Sequence, residues 1–327
     1  MPELRIIDAR GVAIRAALAG SGPLVLLVHG FPESWYSYRH QLAPIADAGF
    51  TACAVDVRGY GGSQRFPEVR DYALEPIVRD LLGVADALSP ERPVVLVGHD
   101  WGAPIVYASA LIHPERFGAV AGMSVVHGGV PERSFDDVIA RVFDARNRFF
   151  YQSYFREPGR AEAAFERDPR DFLCRFYCAI SGDAEPGAWP THLTASDALL
   201  DGLGRPRALP HWLGEADLDY YAGEFARSGF FGPLSRYRNH TRDFHYLQAF
   251  RERTLEQPAL FIGGDRDPAL NLLGAAIDPI AVMRRCTPNL EAAHLLQGCG
   301  HWTQQERPAE VNALLVPWLA SLRGRVV

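Results

Sequence analysis

Short apolar runs alternate with helical apolar stripes along the first 125 residues. Leu4–Asp8 followed by Val12–Ala19 reads as an opening antiparallel pair. Compact runs follow at Leu24–Val28, Thr51–Val55, Val94–Val97 and Ala119–Val125. They are too short for helices and do not alternate with polar residues, as expected of strands covered on both faces. Between them, Leu74, Ile77, Val78, Leu81, Leu82, Ala85 and Leu88 recur at helical spacing. The segment after Gly102 is apolar almost all round and predicts a buried helix, with Pro104 in its first turn, where a missing N–H costs little.

From about Val130 the pattern changes. Residues 130–245 are rich in aromatics and arginine, are broken by Gly and Pro, and carry little strand signal. The strand and helix rhythm returns with Ala259–Gly263, Ala292–Leu296 and a closing helix near Pro308–Leu322. One doubly wound, mostly parallel α/β core with an inserted helical unit accounts for this order. Residues 1–129 and 246–327 are then the core, and 130–245 the cap.

A chain of 327 residues, 48% hydrophobic and 22% charged, has the composition of a soluble globular enzyme. Its net charge of −6 argues against nucleic acid or an anionic membrane as a partner. Five scattered cysteines without a CxxC pair give no support to a zinc or redox site. No run is long enough to span a membrane and the N-terminus lacks a secretory apolar segment, so a cytoplasmic location is the expectation.

The chemistry centres on "VVLVGHDWGAPIVYASA", residues 94–110. A strand passing through Gly-x-nucleophile-x-Gly into a helix is the turn of a serine hydrolase, but the middle position here is Asp100. Flanking glycines let the backbone bend, and the helix N-terminus stabilises a carboxylate charge. A carboxylate attacking a strained or polarised carbon leaves an aspartyl ester, which water must then cleave. "IGGDRDPAL" supplies Asp265 and Asp267 after one strand, and "GCGHWTQ" supplies His301 after the last. This is the hydrolase order of nucleophile, acid and His, with His301 activating water and Asp267 holding its tautomer. "VHGFPES" follows the strand 24–28. The backbone N–H groups of Phe31, in that loop, and of Trp101, the residue after Asp100, are expected to stabilise an oxyanion. "DVRGYGGS" matches neither the P-loop nor the dinucleotide fingerprint and reads as a structural turn. No cofactor or metal motif is present.

Taken together, these segments resemble the epoxide hydrolases of the α/β-hydrolase fold, especially the soluble kind. The likeness runs through "HGFPESWYSYRHQL", "DVRGYGGS", "GHDWGA", "YQSYFREPGRAEAAFE", "SGFFGPLSRYRN", "GGDRDPAL" and "GCGHWTQQERPAEVN", and so covers nearly the whole chain. It implies that two cap tyrosines, Tyr151 and Tyr237, hydrogen-bond the epoxide oxygen, with Tyr154 a competitor for the first role. Ring opening leaves a basic alkoxide, and a phenol with a pKa near ~10 can protonate it while remaining neutral beforehand. Ser235-Arg236 departs from the Asn and aromatic that relatives often carry before that second tyrosine, which leaves the pocket shape open.

An aspartate suits such a target, since a serine would leave an ether that water does not readily cleave. The resemblance implies a small lipophilic epoxide and water as reactants and leaves a homodimer open. A haloalkane dehalogenase is the alternative enzyme, because HGFP and GHDWG are shared with that family. Phe31, however, stands where many dehalogenases carry a donor Asn. A non-catalytic ligand receptor on the same fold is the alternative outside enzymes. Phe149, Phe150, Phe155, Trp189 and Trp212 favour a lipophilic pocket.

Overall fold

The structure, a computed structural model, describes residues 2–271 and 278–327. Eight strands form one sheet: β1 (Glu3–Asp8), β2 (Ala13–Ala19), β3 (Leu24–Val28), β4 (Thr51–Val55), β5 (Val94–His99), β6 (Phe117–Met123), β7 (Ala259–Gly264) and β8 (Leu290–Leu296). Their spatial order is β1-β2-β4-β3-β5-β6-β7-β8. β1 pairs antiparallel with β2, and β2 antiparallel with β4, while every other pair is parallel. All residues of β3, β5 and β7 are buried. Burial on both faces is why these strands read as unbroken apolar runs.

β6 starts two residues before the expected Ala119 and stops two before Val125. Phe117 already pairs with Val94, across a local irregularity in the ladder. At the other end Ser124 turns to φ 65°, which takes the chain out of extended conformation. The predicted helices form over Leu74–Leu88, Gly102–Ile112 and Pro308–Ser321. Gly102–Ile112 lies against the sheet, with ten of its eleven residues buried, so its apolar character all round is accounted for.

The chain leaves the sheet after β6 and returns at β7, the adjacent strand. The intervening residues form helices, among them Phe135–Val142, Tyr151–Arg156, Pro169–Ala179, Glu215–Ser228 and His240–Leu247. Their inner faces merge with the core rather than standing off from it. Phe31 from the loop after β3 packs on Phe155, Phe176 and Tyr237. Phe165 stacks on Phe172 with ring centroids 3.7 Å apart. Edge-on pairs such as Phe31 with Phe176 and Tyr237 add about 0.5–1.5 kcal/mol each beyond the area they bury.

Ionic contacts pin the same junction. Arg15 of β2 lies 2.5 Å from the buried Asp56 and also pairs with Glu224 of the helix Glu215–Ser228. Removing one partner from such a buried set costs about 3–5 kcal/mol, because the remaining charge is left uncompensated. Among the described residues, no helix is long and apolar enough to cross a membrane.

Candidate active site

The turn after β5 places Asp100 at φ 50°, in the left-handed region. That conformation costs a non-glycine residue about 1–2 kcal/mol. The turn is held by close backbone approaches that only glycine permits. A Cβ on Gly98 would strike the Gly102 carbonyl, and one on Gly102 would strike the Val28 carbonyl of β3. The strain therefore persists because both sides of the turn are fixed by the sheet. It lifts the Asp100 side chain above the strand ends, where it is 17% exposed.

The loop after β3 supplies the next group. Phe31 N–H donates to Asp100 Oδ1 at 2.8 Å. A Cβ on Gly30 would meet both Asp100 Oδ1 and the Trp101 nitrogen, so these atoms crowd the same small space beside bare backbone. The loop is braced from below by Glu33, whose carboxylate accepts from Gly30 N–H at 3.0 Å.

His301 comes from the loop after β8. Its Nε2 lies 3.4 Å from Asp100 Oδ2, and its Nδ1 lies 3.0 and 3.1 Å from the two Asp267 oxygens. Asp267 sits in the loop after β7 and is fully buried; one of its oxygens also accepts from Ala269 N–H at 2.8 Å. Asp265, the other candidate acid, faces away and accepts from Gly298 N–H at 2.7 Å. Burial opposes a charged His301 ring, but Asp267 and Asp100 outweigh it, and its pKa is pushed well above the ordinary histidine value.

Two tyrosines face this group. The rings of Tyr151 and Tyr237 lie 5.9 Å apart at 80°, and Tyr237 packs edge-on against Trp101 at 5.2 Å. Burial and the nearby Asp100 charge push both phenol pKa values up, so the phenols are neutral proton carriers at neutral pH. Tyr154 turns elsewhere. Its ring lies beside Phe149, Phe155 and Phe165, beneath the Arg160 guanidinium.

The five predicted aromatics separate in the same way. Trp189 packs edge-on against Tyr151 at 5.7 Å, and Phe155 against Tyr237 at 5.0 Å. Phe150 also lies edge-on to Tyr151 at 4.9 Å and stacks on Phe143 at 4.2 Å, while Phe149 packs on Tyr154. Trp212 is buried against Tyr177 and Trp302 and donates to the Ser181 hydroxyl.

Several supporting residues carry no signal that sequence reasoning used. His99 Nδ1 lies 2.7 Å from Glu33 Oε1, and its Nε2 lies 2.7 Å from the His301 carbonyl. The ring thus bridges the Glu33 carboxylate and the His301 carbonyl, and ties the turn at Asp100 to the His301 loop. Ser124 donates to that same carbonyl at 2.7 Å. Glu306 accepts from the N–H groups of Gly182, Gly300 and Trp302, which fastens the His301 loop to the segment after the helix Pro169–Ala179. Glu33 and His99 sit inside the HGFPES and GHDWG motifs, but a pairing 66 residues apart leaves no periodicity to read. Among the described residues, no group of three or more His, Cys, Asp or Glu side chains is arranged to hold a metal ion.

A carboxylate on the turn after β5, an imidazole behind it and a buried acid behind that, all at the strand ends of this sheet, define an α/β hydrolase. The family model described as alpha/beta hydrolase fold matches residues 23–172. Epoxide hydrolase A of Mycobacterium tuberculosis is 39% identical, over 99% of each chain. Bifunctional epoxide hydrolase 2 of Sus scrofa is 36% identical, over 94% of this chain and 53% of its own. Among solved structures, an epoxide hydrolase from an endophytic Streptomyces superposes with a TM-score of 0.93 at 45% identity, covering 98% of this chain and 96% of its own. Epoxide hydrolase A from Mycobacterium thermoresistibile superposes with a TM-score of 0.90 at 36% identity, covering 98% of each. The chain belongs to the epoxide hydrolases of the α/β-hydrolase fold.

Proposed function

We propose that this enzyme converts small lipophilic epoxides to vicinal diols through a covalent ester on Asp100. The observation that carries the reading is the linear relay from Asp100 to His301 Nε2 at 3.4 Å and from His301 Nδ1 to Asp267 at 3.0 Å. Asp100 Oδ2 attacks an epoxide carbon, the C–O bond breaks, and Tyr151 or Tyr237 gives its proton to the departing oxygen. His301 then takes a proton from water, which attacks the carbonyl carbon of the ester while Asp267 steadies the imidazolium. The tetrahedral oxyanion forms at the oxygen that Phe31 N–H already contacts at 2.8 Å, with Trp101 N–H as the second donor. Collapse of that intermediate expels the diol oxygen, which takes the proton from the imidazolium, while the second proton of the water returns to the phenolate, so the diol leaves with Asp100, His301 and the tyrosine restored.

In this reading the helical residues 130–245 act as a cap over the strand ends and carry the proton donors. Trp189, Phe155 and the Phe31 ring around the two tyrosines favour an apolar substituent on the epoxide. The Phe31 side chain offers a ring edge rather than an N–H, which disfavours the halide-leaving alternative.

A single turnover in isotopically heavy water, with enzyme in excess over styrene oxide, tests the covalent route. The first diol should be light and the heavy oxygen should appear in the peptide containing Asp100. A fully heavy first diol would show direct attack by water and sink the ester mechanism.

A further inference from the structure

A phenol can protonate an alkoxide only while its own proton is not engaged elsewhere. The Tyr151 hydroxyl oxygen accepts a hydrogen bond from Gln152 Nε2 at 2.8 Å, which leaves the phenolic proton free for a third group. The reversed amide would set Oε1 against the hydroxyl, and the phenol would donate to Gln152 instead. Tyr151 accepts or donates equally well, so it cannot choose between the two amide orientations. A neutral imidazole at the far end of the amide also donates or accepts, so it selects one orientation only when its proton sits on Nε2. Gln152 Oε1 lies 2.8 Å from Nε2 of His240, at the start of the helix His240–Leu247. With Gln152 Nε2 given to Tyr151, Oε1 faces the ring, and the matching tautomer of His240 carries its proton on Nε2.

We infer that His240, as its Nε2–H tautomer, is a positioning residue: through Gln152 it fixes which way the amide faces, and so keeps the Tyr151 proton directed at the reacting oxygen. The inference rests on the reading of Tyr151 as a proton donor. Both intermediaries are built to hold one arrangement. Gln152 and His240 are only 6% and 8% exposed, so bulk water does not compete for the amide. The imidazole lies between the Trp101 ring, 5.6 Å away at 35°, and the Phe135 ring, 5.2 Å away at 61°. Burial and the Arg236 guanidinium hold its pKa down to about 4, which keeps the ring neutral at neutral pH. Arg236 itself sits over the other side of this cluster, 4.7 Å from the Trp101 ring. The same Trp101 follows the nucleophile, so the positioning chain and the reacting carboxylate share one wall.

Stopped-flow tryptophan fluorescence with styrene oxide separates ester formation from ester hydrolysis. His240→Met removes the donor at similar length, and ester formation should slow about tenfold, the loss of one hydrogen bond's worth of orientation. Ester hydrolysis should change by less than about twofold, since His301 drives it. His240→Gln returns an N–H donor and should recover ester formation to within about threefold of wild type. In a Tyr151→Phe background, His240→Met should have no further effect on ester formation. Gln152→Leu should reproduce the His240→Met phenotype and serves if that variant does not fold. Ester formation at the wild-type rate in His240→Met, no recovery in His240→Gln, or an equal slowing in the Tyr151→Phe background would each overturn the inference. If Tyr151→Phe slows ester formation while His240→Met does not, only the positioning role fails. If Tyr151→Phe itself forms the ester at the wild-type rate, the proton-donor reading fails and the inference falls with it.

Discussion

His301 Nε2 lies 3.4 Å from Asp100 Oδ2, so in the proposed mechanism the base of the second step stands beside the nucleophile of the first. The contact means different things before and after ring opening. While Asp100 is a carboxylate, its charge favours imidazolium, and His301 is a poor base. Once Asp100 is esterified that charge is gone, the imidazole loses its proton more readily, and a base becomes available at the stage that needs one.

Replacing Asp100 by Asn imitates this loss of charge. The His301 pKa should be lower in Asp100→Asn than in wild type, measurable by titrating the ring protons by NMR. Equal titration in the two proteins would show that the Asp100 charge does not control the base. The stability linkage has a definite sign. A histidine with a raised folded-state pKa stabilises the fold fully below its unfolded value of about 6.5, and the contribution is lost as pH rises through the folded value. Wild type should therefore exceed His301→Gln in stability most clearly near pH 6, and the gap should narrow in alkaline solution, as read by urea unfolding.

His301→Gln should stop the cycle halfway. Asp100 needs no base to attack, so the ester should form and persist without an activated water. Intact-mass measurement after incubation with styrene oxide should find the protein heavier by one epoxide. Protein of unchanged mass after long incubation would remove His301 from the hydrolytic step.

The rings of Tyr151 and Tyr237 pack edge-on, 5.9 Å apart, and both feel the Asp100 charge. Either single change to Phe should leave one donor and slow ring opening by about 10-fold to 100-fold. The double variant Tyr151→Phe, Tyr237→Phe should lose at least the 10²–10⁴-fold, roughly, that a positioned general acid supplies. Single-turnover ester formation is the measurement. A double variant that still opens epoxides near the wild-type rate would place the proton donors elsewhere.

Glu33 links the oxyanion loop to the nucleophile strand through His99. Burial alone would raise its pKa, but His99 overcomes this and holds the carboxyl down to about 2. A depressed folded-state value contributes stability above the unfolded value of about 4.3, and this is lost as pH falls toward the folded one. Glu33→Gln should cost about 3–5 kcal/mol near neutral pH, because His99 keeps a buried donor without its charged acceptor. Acid titration should show the difference from wild type shrinking between about pH 4.3 and 2. A neutral-pH difference below about 1 kcal/mol would mean the pair is not a structural brace.

The strands, the inserted helices and the turn at Asp100 were all legible in the order of residues along the chain. Burial on both faces leaves unbroken apolar runs at β3 and β5. Likewise, Gly98 and Gly102 bracket Asp100 within five residues, and Gly98 tolerates no Cβ because the Gly102 carbonyl lies against it. Such signals survive because their cause is local. Tertiary structure alone decided which members of near-identical pairs join the cluster around Asp100 and His301. Asp265 and Asp267 stand two apart, yet one caps the Gly298 turn while the other is buried against His301. Tyr151 and Tyr154 share one turn of helix, yet only the first meets Tyr237, while Arg160 covers the second. The His99–Glu33 and His240–Gln152 contacts join residues 66 and 88 apart. Pairings over such distances depend on how loops and helices close over the sheet, and no local spacing encodes that closure.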